Sequence, residues 1–119
     1  MSERPPDLKV RTLEFARRII RLYSRLPRDT VAQVLGKQLL RSGTSIGANY
    51  REASRGRSKA EFISKIGDSL KEAEETDYWL ELIDGEQFVP PARLAPLRDE
   101  TRQLIAILTS VINSAKRNP

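Results

Sequence analysis

The chain has 119 residues, 39% of them hydrophobic and 31% charged, which supports one hydrophobic core and not two. Cys and His are both missing, so thiolate nucleophiles, disulfides, imidazole acid–base catalysis and the usual zinc or haem ligands are excluded. Lys and Arg number 21 against 16 Asp and Glu, a net charge of +5 that suits polyanionic partners.

Aromatics make up only 6% of the residues, so the core is expected from aliphatic helical stripes and not from a β-sandwich. The longest apolar run, Leu104 to Leu108, falls far short of the roughly 18 residues of a membrane span. The first residues lack an apolar signal region, so a cytoplasmic location without membrane insertion is the expectation.

In chain order, Leu8, Phe15, Ala16, Ile19, Ile20, Leu22, Tyr23 and Leu26 share about half of a helical circumference, with Leu13 at its margin. The first helix is placed at about 7–25, after Pro5-Pro6, with Asp7 as N-cap and Pro27 as its stop. So wide an apolar arc needs two neighbouring helices to cover it. Asp29 or Thr30 caps a second helix at 30–54, on which Val34, Leu35, Leu39, Gly43, Ile46, Tyr50 and Ala53 keep helical spacing. Its weak point is the small-residue stretch Ser42 to Ala48, where each Gly costs about 1 kcal/mol relative to Ala. Either the chain turns there or another backbone comes close.

Ser58-Lys59-Ala60-Glu61 is a capping box opening a third helix at 59–84, striped by Phe62, Ile66, Ser69, Ala73, Thr76, Leu80 and Ile83. Gly85 is suited to the left-handed position that ends it. After the loop 86–91, Leu94, Leu97, Leu104, Ile105, Leu108, Val111, Ile112 and Ala115 share a face, giving a fourth helix at 92–115, with Pro96 in its first turn or delaying its start. Short loops between long helices make the expected architecture an all-α, antiparallel up-down-up-down four-helix bundle in a single domain, 1–119.

Charge is uneven: residues 1–28 carry 8 basic against 3 acidic side chains, whereas 58–85 carry 3 against 8. Arg11, Arg17, Arg18, Arg21 and Arg25 form a stripe opposite the first apolar arc, and Arg51, Arg55, Arg57 and Lys59 cluster around the turn between helices two and three. Three readings stand together: a solvated face, a phosphate-tracking surface, or a basic face meeting the acidic third helix of another copy.

Gly67-Asp68-Ser69-Leu70 spells a lipase and esterase tetrapeptide, but a mid-helix serine without a histidine is no nucleophile. Gly43 to Gly47 lacks the Gly-Lys-Ser/Thr ending of a phosphate loop. Glu72, Glu74, Glu75, Asp77 and Glu81 lack the histidines of bundle di-metal sites, so no metal and no cofactor are expected. A helix-turn-helix with Gly43 in the turn would leave only Asn49 and Arg51 to read bases. Arg41, Ser45, Asn49 and Glu52 instead line one side of a continuous second helix. Packed against Glu72, Glu75 or Tyr78, this stripe would fix the bundle's register; left exposed, it is a polar face.

The runs Gln38-Leu-Leu-Arg-Ser-Gly-Thr-Ser-Ile-Gly-Ala-Asn-Tyr-Arg-Glu-Ala53, Ser58-Lys-Ala-Glu-Phe62 and Ser69-Leu-Lys-Glu-Ala-Glu-Glu-Thr-Asp-Tyr-Trp-Leu80 resemble the bacterial four-helix-bundle family first noticed in intervening sequences of 23S ribosomal RNA genes. That family is related to the accessory variability proteins of diversity-generating retroelements. The resemblance covers about residues 26–83 closely and the outer helices by pattern. It implies a ring-like homopentamer of bundles with a basic surface for nucleic acid and no enzymatic activity. It also implies that Arg41, Ser45, Asn49, Glu52, Lys71, Glu72, Glu75 and Tyr78 occupy structural or interfacial motif positions. The first-helix arginines lie outside that motif. The resulting expectation is a non-enzymatic, oligomeric protein binding RNA or DNA. The alternative is an adaptor oligomer that binds a protein partner, as the retroelement relatives bind a reverse transcriptase.

Overall fold

The computed structural model describes residues 7–118. Pro5 and Pro6, read as the break before the first helix, lie outside them. Among the described residues are four α-helices and no strand: α1 (Leu8–Tyr23), α2 (Thr30–Ser54), α3 (Lys59–Gly85) and α4 (Pro91–Arg117). Each helix packs against its neighbours in the chain, and α4 also touches α1. Each therefore has two partners around one core of Phe15, Ile19, Leu39, Ile46, Ile66, Leu80, Leu94, Leu104 and Leu108, all nearly or fully buried.

Three helix starts follow the sequence. The Asp7 side chain accepts the Lys9 and Val10 amides, Asp29 accepts that of Ala32, and Ser58 accepts that of Glu61. Each side chain thus satisfies an amide that the helix itself leaves without a partner. The reciprocal arm of the expected capping box is displaced: Glu61 accepts from the Arg57 amide at 3.5 Å, one residue before the cap. The helix α4 begins at Pro91, behind Pro90 and without a side-chain cap, so Pro96 lies inside it. Proline fits the first helical position because its missing N–H is one that no helix bonds.

Two ends differ from expectation. The helix α1 stops at Tyr23, so Arg25 sits in the following turn, its amide on the Leu22 carbonyl. At the end of α3, Gly85 is helical, and Gln87 takes the left-handed conformation at φ 57°. The Phe88 amide returns to the Ile83 carbonyl and the Gln87 amide to that of Asp84, a Schellman-type closure. Half-buried Phe88 and buried Val89 anchor the chain just beyond, which moves the reversal past the glycine.

The apolar arc of α1 is narrower than its sequence pattern. Leu8, Phe15, Ile19 and Leu22 are buried, as is Leu26 beyond the helix, whereas Leu13 and Ile20 are each 46% exposed. Val34 of α2 likewise faces outward. The stripe of α3 is buried except for half-buried Phe62.

The small-residue stretch of α2 is continuous helix, which excludes a helix-turn-helix turn at Gly43. The close approach is to α1. A Cβ at Gly43 would lie 2.9–3.3 Å from three carbons of Ile19, and one at Gly47 would lie 3.0 Å from Thr12 Oγ1. Their lack of a side chain is what lets α1 settle onto α2.

Candidate nucleic-acid interface and polar seam

The helix α2 meets α3 through polar groups at two depths. Inside, Ser69 Oγ donates to the Ile46 carbonyl at 2.7 Å, and Thr76 Oγ1 to Ser42 Oγ at 2.9 Å. All three hydroxyl residues are buried. Each hydroxyl finds a partner where water cannot supply one, and the pairing fixes the offset of α2 on α3. Ser69 of the esterase-like tetrapeptide is one of these register groups.

At the rim, Arg41 reaches Glu72 at 3.2 Å and Glu75 at 2.9 Å, and Lys65 lies 3.6 Å from Glu52. Ser45 turns back to the Arg41 carbonyl, Asn49 is half-buried, and Lys71 is exposed. Tyr78 is 55% exposed and lies edge-on to Trp79 at 5.2 Å. The structure thus joins Arg41 to Glu72 and Glu75 and leaves Tyr78 on the surface. Exposed pairs of this kind contribute about 0–1 kcal/mol each. The buried hydroxyls hold the register more firmly; the signal for Ser69 and Thr76 was their place on the apolar stripe of α3.

The basic residues divide by partner. Arg11 is committed within the bundle: it donates from Nε and a terminal nitrogen to both Glu100 oxygens of α4, at 2.7 and 2.8 Å, and again to Gln103. The hydrogen bond to Glu100 raises the guanidinium above its usual pKa; partial burial opposes this, and the attraction of the opposite charge adds to it. Arg98 of α4 is held by Asp84 at 3.0 Å. In contrast, Arg17, Arg18, Arg21 and Arg25 have no carboxylate within salt-bridge distance among the described residues. Arg17, Arg21 and Arg25 are exposed and Arg18 half-buried.

Arg18, Arg21 and Arg25 line a groove of about 320 Å³ where the end of α1 meets the start of α4, together with Arg93 and the apolar side chains Leu22, Ala92, Pro96 and Leu97. Sequence reasoning missed Arg93, whose relation to the α1 arginines depends on helix pairing. Arg17 is not among the residues that line this groove. The second cluster is elsewhere. Gly36 faces Leu26 while Gly47 faces Thr12, so Arg51, Arg55, Arg57 and Lys59 belong to the end of the molecule where α1 begins. Since α1 rises about 1.5 Å per residue, the two clusters lie roughly 20 Å apart. Arg55, Arg57 and Lys59 are exposed, Arg51 half-buried.

No described helix is long and apolar enough to cross a membrane. The acids of α3 are spread along the helix: Glu72 and Glu75 serve Arg41, while Glu74 and Glu81 face solvent.

Four helices, a hydroxyl-pinned central seam and two clusters of arginines define a small all-α protein. The family model for the 23S rRNA-intervening sequence protein matches residues 7–110, and the chain belongs to that family. A solved structure is similar over nearly the whole chain: a protein of unknown function from the S23 ribosomal protein family of Bacteroides thetaiotaomicron. It is 43% identical, with a TM-score of 0.83, covering 88% of this chain and 97% of that one. No curated protein matches this sequence.

Proposed function

We propose that this protein is a non-enzymatic, cytoplasmic nucleic-acid-binding protein that works as a homo-oligomer of antiparallel up-down-up-down bundles, with a ring-like pentamer as its assembly. The alternating direction is supported by Thr12 lying against Gly47 while Ile19 lies against Gly43, and by Arg41 pairing with Glu72 while Glu52 faces Lys65. The observation that carries the binding role is the division among arginines. Those paired with acids hold helices together, and Arg17, Arg18, Arg21 and Arg25, with Arg55, Arg57 and Lys59 at the other end, remain available for phosphates. Phosphate contacts by Lys and Arg release counterions, and an oligomer multiplies each patch.

Fluorescence polarisation against labelled RNA and duplex DNA tests the role, with steep weakening expected as salt rises. Absence of binding at about 50 mM salt, the low end of the range over which such contacts are strong, rejects it. Light scattering tests assembly, and a strict monomer rejects the ring.

A second reading, an adaptor for a protein partner, is favoured by exposed Val10, Leu13 and Ile20 on α1 and by Val31, Val34 and Tyr78 on α2 and α3. Apolar side chains left in water suit a protein surface. Charge reversal at Arg18 and Arg25 discriminates: lost self-association with intact nucleic-acid binding favours the adaptor.

A further inference from the structure

We propose that the groove between the end of α1 and the start of α4 seats single-stranded nucleic acid, with phosphates on Arg18, Arg21, Arg25 and Arg93 and an unpaired base against Leu22 and Pro96. This rests on the nucleic-acid reading above and assigns it a place and a form of ligand.

Three observations carry it. Arg18 and Arg21 of α1, Arg25 of the turn after it and Arg93 of α4 line one groove, and none has a carboxylate within salt-bridge distance among the described residues. Glu14, one turn before Arg18, is exposed and forms no such pair. Four like charges so arranged repel one another, and an anion between them relieves that repulsion. Second, the wall is not polar throughout. Leu22 is buried against the core, and exposed Pro96 adds an apolar ring. A bare inorganic anion uses none of this surface, whereas a nucleotide carries both a phosphate and an apolar base face.

Third, the shape selects the strand. Neighbouring helix axes lie about 8–10 Å apart, so the groove between them is too narrow to admit a duplex whose bases are already stacked inward. A single strand can turn one base into the groove while its backbone follows the arginine rim. The start of α4 lies at the same place without a side-chain cap, so its positive end adds to the field of the arginines.

The test is fluorescence polarisation with a labelled DNA strand of about twelve nucleotides, within the span of known single-strand sites. The same strand is also measured annealed to its complement and with abasic positions. The full chain is compared with Arg18→Glu/Arg93→Glu in the groove and with Lys116→Glu/Arg117→Glu, exposed residues outside both arginine clusters at the opposite end of α4. Circular dichroism and light scattering establish that fold and assembly are kept. If charge reversal disturbs either one, Arg18→Gln/Arg93→Gln replaces it.

The unchanged protein is expected to prefer the strand over the duplex by about tenfold, and to lose about fivefold or more on the abasic strand, the lower end of what one stacked base contributes. The groove variant should lose at least about tenfold, or about threefold for the Gln pair. Its salt slope should fall by about 1.4, or 0.7 for each phosphate contact removed. The opposite-end variant should stay within about threefold on the strand. Equal affinity for duplex and strand, or an abasic strand bound as well as the intact one, overturns the proposal. Groove variants that bind normally while the opposite-end variant fails overturn the groove and leave nucleic-acid binding standing. No binding of any probe by the unchanged protein overturns both.

Discussion

The seam between α1 and α2 and the seam between α1 and α4 use the same helix for opposite ends. Toward α2, Ile19 and Thr12 rest closely on Gly43 and Gly47, where an added Cβ would crowd them. Toward α4, contact is limited to fewer places: Arg11 grips Glu100 near one end, and a groove rimmed by arginines opens near the other. Small residues give closeness, which excludes water and fixes geometry. Where the arginines face no acid, the seam is an open groove. The same arginine chemistry is structural at Arg11 and available at Arg18 and Arg25, and the presence of an acid on the facing helix is what separates them.

The tight seam is tested by Gly43→Leu. A side chain forced against the branched carbons of Ile19 is expected to cost about 3 kcal/mol, the upper range for overpacking, or to prevent folding; urea denaturation reads it. A stability equal to that of the unchanged protein would mean that α1 can move off α2 freely.

Between α2 and α3, Thr76→Val keeps the shape and removes the hydroxyl that meets Ser42. A loss of about 1–2 kcal/mol is expected for a buried hydrogen bond with its partner left behind. No loss would shift the register role to the Arg41 rim.

At the open seam, Glu100→Gln keeps an acceptor for Arg11 and removes the charge. Thermal denaturation should show a loss of about 1 kcal/mol, below the range for bonds to charged groups because the pair is partly in water. Gly67→Ala on α3 makes a control for the glycine argument. Nothing lies within 4 Å of its added methyl, so a gain of about 0.8 kcal/mol is expected from helix propensity alone. The smallest effect is expected from Arg18→Ala with Arg25→Ala: within about 0.5 kcal/mol in stability, as for surface substitutions, with weakened nucleic-acid binding. A large loss of stability there would show that these arginines hold the bundle together.

Helix positions were legible because each signal is local. A cap needs a side-chain oxygen two or three residues before an amide, and the buried stripe of α3 needs only its own 3.6-residue period. The end of α1 at Tyr23 and the left-handed turn at Gln87 were not legible, since the first depends on where the chain must turn toward α2 and the second on Phe88 and Val89 packing beyond the helix. Exposure of Ile20, Leu13 and Val34 was hidden for a related reason. Periodicity ranks the faces of a helix but does not say how much of each face a neighbour covers. Within the candidate site, the α1 arginine stripe was readable as a stripe. Its division into Arg11, held by Glu100, and Arg18, Arg21 and Arg25, joined by Arg93, was not.

The sequence by itself determined an all-α chain without thiol or imidazole chemistry, its caps, its main apolar stripes and its surplus of arginine, because composition and short-range spacing settle these. Tertiary structure decided which small residues receive α1, which hydroxyls fix α3 on α2, and which arginines meet an acid. Each of these is a meeting of residues tens of positions apart, and only the packing of one helix on another brings them within reach.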